Sequence, residues 1–357
     1  MKKVHNFSAG PAILPAEVLK EASEGILNLN NSGLSILEMS HRSDDFINVM
    51  EEARNLVKEM MGLGNDYQTL FLGGGASLQF AMVPYNLLSS TGTAAYVNTG
   101  VWASKAIKEA KLLGNVKVIA SSEDKKFSFV PKDYTVPTDA SYLHITSNNT
   151  IYGTQAHSFP KSSIPVVCDM SSDIFSRQMN FSQFDLIYAG TQKNMGAAGA
   201  TMIVVKESML GKTDRKMLSM MDYKVHIKAD AMFNTPPVFS IYACLLTLKW
   251  LKKNGGLAWI EKINKEKADA MYAEIDRNSL FTGTCVKEDR SVMNACFLLT
   301  KPELEKTFNK MWEDAGISGI KGHRDVGGYR ASMYNALPLE SVKVLVDVMK
   351  EFEKKHA

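Results

Sequence analysis

Short, almost wholly apolar runs recur along the first part of this chain, at 69–72, 94–97, 116–120, 142–145, 166–168, 186–189 and 202–205. A strand with one face in water alternates apolar and polar residues, whereas a run without polar interruption asks for cover on both faces. Helical patterns lie between the runs, at 16–29, 46–61, 77–88 and 101–113. That alternation predicts α/β architecture, a mostly parallel sheet covered by helices. Pattern alone does not give the strand order.

A helical stretch over 241–253 stops at Asn254-Gly255-Gly256, and a new one runs over 257–276. From there the order becomes helix, strand (293–300), helix (301–315), a glycine-rich loop and a last helix from Leu339. The change predicts a large domain over 16–255 and a smaller α/β domain over 256–357, with 1–15 as an N-terminal segment that packs with the small domain. A chain of 357 residues, 45% of them hydrophobic, can fill both cores.

Net charge is +3 with no block of like charges, which points to neither nucleic acid nor a membrane surface. No run approaches about 18 apolar residues, and no apolar region follows the charged N-terminus, so neither membrane insertion nor secretion is expected. Cys168, Cys244, Cys285 and Cys296 fall in apolar contexts without CxxC spacing or histidine neighbours. They predict reduced core thiols, no metal site and a reducing cytoplasm.

Chemistry enters at Lys193, in Tyr188-Ala189-Gly190-Thr191-Gln192-Lys193-Asn194-Met195-Gly196, after a buried strand and before a glycine-rich turn. A lysine held at the end of an apolar strand loses solvation, so more of it stands as the free amine that attacks carbonyls. Lysines after strands are more often solvated loop residues, and the weight therefore falls on a companion. Upstream, Ile164-Pro165-Val166-Val167-Cys168-Asp169 ends another apolar strand in an acid. Pyridoxal phosphate needs this pair: a lysine to join its aldehyde, and an acid to keep its pyridine nitrogen protonated so that the ring accepts electrons. The plain alternative for Asp169 is an N-cap or a loop acid.

The run Leu72-Gly73-Gly74-Gly75-Ala76-Ser77-Leu78-Gln79-Phe80 supplies a phosphate cradle, where a strand ends, glycines admit close approach and a helix begins. It matches neither GxGxxG nor GxxxxGKS/T. Trp102 opens a helix on the same edge, where an aromatic either stacks on a pyridine ring or fills a core. A nicotinamide-dependent dehydrogenase would use the glycine loop but leave Lys193 and Asp169 without a task. A non-catalytic relative kept for binding would be expected to lack one of the two.

Taken in order, Asn6-Phe7-Ser8-Ala9-Gly10-Pro11, Ser40-His41-Arg42, the 73–80 loop, Thr99-Gly100-Val101-Trp102, Thr150-Ile151-Tyr152-Gly153, Asp169-Met170-Ser171-Ser172, Gln192-Lys193-Asn194, Asn234-Thr235-Pro236-Pro237 and Gly327-Gly328-Tyr329-Arg330-Ala331-Ser332 resemble the phosphoserine aminotransferase family. The resemblance runs from the N-terminus to beyond residue 335. It implies a class V, fold-type I aminotransferase that works as a homodimer with both active sites at the interface. The implied reaction takes L-glutamate and 3-phosphohydroxypyruvate to 2-oxoglutarate and O-phospho-L-serine, in serine biosynthesis. It leaves open other small oxo acids of class V enzymes, and the phosphorylated four-carbon intermediate of pyridoxal phosphate synthesis.

Position by position, the resemblance implies that Lys193 holds the cofactor and moves a proton, and that Asp169 pairs with the pyridine nitrogen. Trp102 would stack on the ring and Thr150 would bond near the ring hydroxyl. Ala76 and Ser77 would give backbone amides to the cofactor phosphate beside Gln192, with Asn234 and Thr235 contributed by the partner subunit. Arg330 would take the substrate α-carboxylate. His41 and Arg42 from the partner subunit, with His323 and Arg324, would grip the substrate phosphate or the glutamate side-chain carboxylate. Two positions depart from the pattern: Ser77 stands where some members carry an arginine, which puts more weight on Arg42 and Arg324, and Asn149 stands where an acid often precedes the threonine.

Overall fold

Across residues 4–357, which the computed structural model describes, the elements in chain order, short 3-10 turns aside, are β1 (His5–Asn6), α1 (Ala16–Asn28), α2 (Asp44–Met61), β2 (Tyr67–Leu72), α3 (Gly75–Leu87), β3 (Thr93–Asn98), α4 (Val101–Ala110), β4 (Asn115–Ser121), β5 (Leu143–Thr146), β6 (Asn148–Asn149), β7 (Thr154–Gln155), β8 (Val166–Asp169), β9 (Leu186–Gly190), β10 (Thr201–Lys206), α5 (Tyr223–Lys228), α6 (Val238–Lys253), α7 (Gly256–Arg277), β11 (Phe281–Gly283), β12 (Asn294–Leu299), α8 (Glu305–Asp314), β13 (Ile317–Ser318), β14 (Tyr329–Ser332) and α9 (Leu339–His356).

The apolar runs form one seven-stranded sheet in the order β2-β10-β9-β8-β5-β3-β4. Neighbours pair in parallel except around β10, which runs antiparallel to both β2 and β9. β8 and β9 are buried at every position, as uninterrupted apolar runs require. β4 differs. Its run reads as covered on both faces, yet at this edge of the sheet Val118 is 41% exposed, whereas β2 at the other edge is buried at all but one position.

α2 shows why the helices cover this sheet: Phe46, Val49, Met50, Ala53, Leu56 and Val57 recur at helical spacing and are all buried. It stops at Gly62, whose φ of 63° lets its amide turn back to the Lys58 and Glu59 carbonyls. The stretch 301–315 reads as one helix but starts as a 3-10 turn at Pro302–Leu304 before α8.

A second hydrophobic cluster, distinct from that of the sheet, gathers Phe281, Phe297, Phe308, Tyr329 and Phe352 around β11, β12 and β14. Phe281 meets Phe308 edge-on at 5.0 Å between centroids, and each buried aromatic of this kind contributes about 1.5–3 kcal/mol. α7 serves both clusters, with Ile260 in the first and Met271 in the second. The N-terminal segment crosses to the second: β1 pairs in parallel with β13, and Phe7 is buried there. Residues 1–3 of that segment lie outside the described residues. Among the described residues no helix is long and apolar enough to cross a membrane.

Candidate active site

β8 ends at Asp169 and β9 at Gly190, and the strands pair in parallel with Asp169 beside Tyr188. Parallel neighbours end on one edge of the sheet, so the acid and the loop carrying Lys193 emerge together. That loop is closed on itself: the Thr191 hydroxyl donates to the Ala197 carbonyl at 2.6 Å, and the Gly196 amide to the Thr191 carbonyl at 2.8 Å. Lys193 Nζ donates to Thr150 Oγ1 at 3.2 Å. The N-terminal segment forms a wall beside it, where a Cβ on Gly10 would lie 3.7 Å from Lys193 Cγ.

A cavity of about 340 Å³ opens at this edge. Ala76, Ser77, Trp102, Thr150, Asp169, Gln192, Lys193, His323 and Arg330, from widely separated stretches of chain, all line it. His41, Arg42, Asn234, Thr235 and Arg324 are not among its described lining residues. His41 and Arg42 precede α2, and Asn234 and Thr235 are exposed ahead of α6. The Arg324 side chain is 91% exposed and sits 3.6 Å from Asp325, which also pairs with His323 at 3.3 Å.

The sequence assigns no role to Asn148, nor to Ala9, Phe80, Ser171 and Ser172 within their motifs, yet all five also line the cavity. Ser171 carried a signal, since it stands two residues after the acid, and its amide donates to Asp169 Oδ1 at 2.9 Å. Asn148 carried none, because its place depends on a bond from its Nδ2 to Asn294 Oδ1 at 2.8 Å, far along the chain.

Burial pushes the Asp169 carboxyl above the usual carboxylate range, and the Ser171 bonds and Lys193 pull it back. Burial also brings the Lys193 ammonium down from 10.5 to about 8; Arg330 adds to the fall, while Asp169 and Asp173 oppose it. The free amine is thereby within reach at neutral pH. The acid, only 4% exposed, sits where a cationic partner would relieve its burial.

This donor set fits pyridoxal phosphate. At the start of α3, Gly74 and Gly75 have φ of 89° and 67°, and a Cβ at Gly75 would meet no described atom within 4 Å. No side chain among the described residues caps that helix, so its first amides remain free for an anion. Trp102, in the first turn of α4, is half-buried with Lys105 Nζ 4.5 Å from its ring centroid. Arg330 Nη1 reaches the Thr150 carbonyl at 3.4 Å, and its Nε is buried with no partner among the described residues. It has donors to spare for a carboxylate.

The model of the aminotransferase class-V family matches residues 4–345. The phosphoserine aminotransferase of Flavobacterium psychrophilum is 65% identical over 356 residues, covering 99% of this chain and 100% of that protein. Among solved structures, phosphoserine aminotransferase from Bacillus circulans subsp. alkalophilus is 43% identical with a TM-score of 0.97, covering 100% of both chains. The PLP-bound phosphoserine aminotransferase from Trichomonas vaginalis is 34% identical with a TM-score of 0.92, over 98% of this chain and 100% of that one. With the lysine, the buried acid and the open cradle meeting in one cavity, the chain belongs to the class-V aminotransferase family, in its phosphoserine aminotransferase branch.

Proposed function

We propose that this chain transfers the amino group of L-glutamate to 3-phosphohydroxypyruvate, giving O-phospho-L-serine and 2-oxoglutarate, with pyridoxal 5'-phosphate as cofactor. The observation that carries the reading is the meeting of Lys193, Asp169 and Arg330 in one cavity. Pyridoxal phosphate, when bound, supplies an electron sink for the bonds at the substrate Cα.

The residues divide the remaining work. Ala76 and Ser77 would hold the cofactor phosphate with backbone amides at the start of α3, beside Gln192. Trp102 would cover a face of the ring, and Asp169 would keep the ring nitrogen protonated. Lys193 Nζ takes the proton from the substrate Cα, oriented by its bond to Thr150. Arg330 holds the α-carboxylate. His323 and Arg324 take the remote anion together with His41 and Arg42, which reach the site from a second copy of the chain, as do Asn234 and Thr235. We read the assembly accordingly as a homodimer in the cytoplasm. Residues 16–255 form the cofactor domain, and 256–357 the smaller one, packed with 1–15.

The test compares phosphoserine with serine as amino donors. A phosphate carries about −1.5 to −2 charge near pH 7 and offers three acceptor oxygens. Losing two charge-assisted contacts worth roughly 1.5–3 kcal/mol each lowers kcat/KM for serine at least about 10²-fold to 10⁴-fold. Equal efficiency on the two would sink the phosphorylated-substrate assignment. A purified protein that takes up no pyridoxal phosphate, with no visible band for borohydride to abolish, would sink the chemistry itself.

A further inference from the structure

We propose that Asp173 is a positioning residue, which clamps the base of the β6–β7 hairpin and thereby sets Thr150 between Lys193 and Arg330. The inference rests on the roles given above to those three residues. β6 and β7 pair antiparallel, with Asn148 opposite Gln155, and the tip between them carries Thr150 and Ile151 into the cavity wall. Thr150 is tied on two sides: its Oγ1 accepts from Lys193 Nζ at 3.2 Å, and its carbonyl from Arg330 Nη1 at 3.4 Å.

The hairpin base is held from one place. Asp173 is 0% exposed; its Oδ1 accepts from the Ser147 hydroxyl, immediately before β6, and its Oδ2 from Gln155 Nε2 of β7 at 3.0 Å. One carboxylate holds the residue leading into β6 and a residue of β7. Arg177 adds a third hold, with Nη2 3.8 Å from Asp173 Oδ2 and donating to the Ala156 carbonyl at 2.6 Å, just past β7. The Ser147 amide meanwhile donates to the Asp169 carbonyl at 3.0 Å, which ties the hairpin base to the end of β8.

A carboxylate suits this place because it only accepts, through both oxygens. An asparagine accepts through one oxygen, and turns an N–H toward either Ser147 or Gln155. A buried charge is tolerated only when it is paired and hydrogen-bonded: burial pushes the Asp173 carboxyl above the usual carboxylate range, and Arg177 with the two donors pulls it part of the way back. The acid is therefore held in a fixed geometry, and the hairpin with it.

The test uses the cofactor-loaded protein with Asp173→Asn and, as the milder change, Ser147→Ala. Amide hydrogen exchange across 148–156 should quicken in both, while 186–190 stays as protected as before. In Asp173→Asn, kcat/KM for phosphoserine should fall about 10-fold to 100-fold, as for a small misplacement of reacting groups. The pH midpoint of the visible band of the bound cofactor should also move, because Thr150 touches the Lys193 amine. Unchanged exchange in the hairpin overturns the clamp, and so does faster exchange with kcat/KM and the band unaltered, or a uniform loss of protection across the fold. Exchange reads the clamp whether or not the protein turns over phosphoserine, so failure of the functional reading shows separately, in the unmodified protein.

Discussion

His144 stands on β5, two residues before the cavity side chain Thr146, with 2% exposure. Its ring stacks on Tyr96 at 4.8 Å between centroids, and its Nε2 lies 2.8 Å from the Tyr188 hydroxyl. Burial lowers the imidazole from 6.5 to about 3. Between those values the unfolded state binds the proton and the folded state does not, so stability is lost as pH falls. The slope is about 1.4 kcal/mol per pH unit once the unfolded imidazole is charged, which amounts to about 2 kcal/mol between pH 7 and pH 5. Against a typical total of about 5–15 kcal/mol that loss is large. His144→Phe keeps a ring in the stack, removes the titration and leaves the Tyr188 hydroxyl unpaired, an offset of about 1–3 kcal/mol at every pH. Denaturant unfolding of both proteins from pH 8 to pH 5 should show the variant less stable at pH 7, with the gap closing by about 2 kcal/mol at pH 5. Parallel curves would refute a neutral buried imidazole.

Lys193→Ala should still bind pyridoxal phosphate through the α3 cradle yet lose transamination by at least about 10²-fold to 10⁴-fold, the usual share of a positioned base; near-normal turnover removes Lys193 from the mechanism. In the cofactor-free protein, acylation of Lys193 should rise through pH about 8. Asp169→Asn should move that rise lower, since the carboxylate favours the ammonium, and it should also slow proton abstraction; a midpoint near the ordinary lysine value would contradict the burial argument. Refolding Arg42→Ala with Lys193→Ala should restore up to about a quarter of full activity, in hybrid dimers with one intact site. Demonstrated hybrids without activity would place both residues in one site of one chain.

Lys193 and Asp169 were legible because each comes at or just after the end of an apolar run, and parallel strands bring their ends to a common edge. The cradle was legible for the same reason, from Gly74 and Gly75 after β2. The hold on Thr150 was not: Asp173, Ser147 and Gln155 meet through side-chain bonds between separate stretches, which no local period encodes. Arg324 shows the limit from the other side, since its neighbour His323 lines the cavity while its own side chain lies in solvent beside Asp325. Likewise Phe7 could be read as apolar, but its burial with Phe281 and Phe308 depends on β1 joining β13.

The reversed direction of β10 bears on how the site is assembled in time. β9 and β10 are joined by the short loop that carries Lys193, with Gly190 paired to Thr201, and β8 meets β9 through Asp169 and Tyr188. These pairings close small loops. β2 joins β10 through Leu72 and Thr201, and that distant closure helps to bring the glycine cradle beside the lysine. Closing a longer loop carries the larger entropic penalty, and contacts of low sequence separation form faster. By that scaling the pairings that join the amine to the acid carry the smaller closure penalty, and the pairing that adds the anion-binding loop carries the larger one.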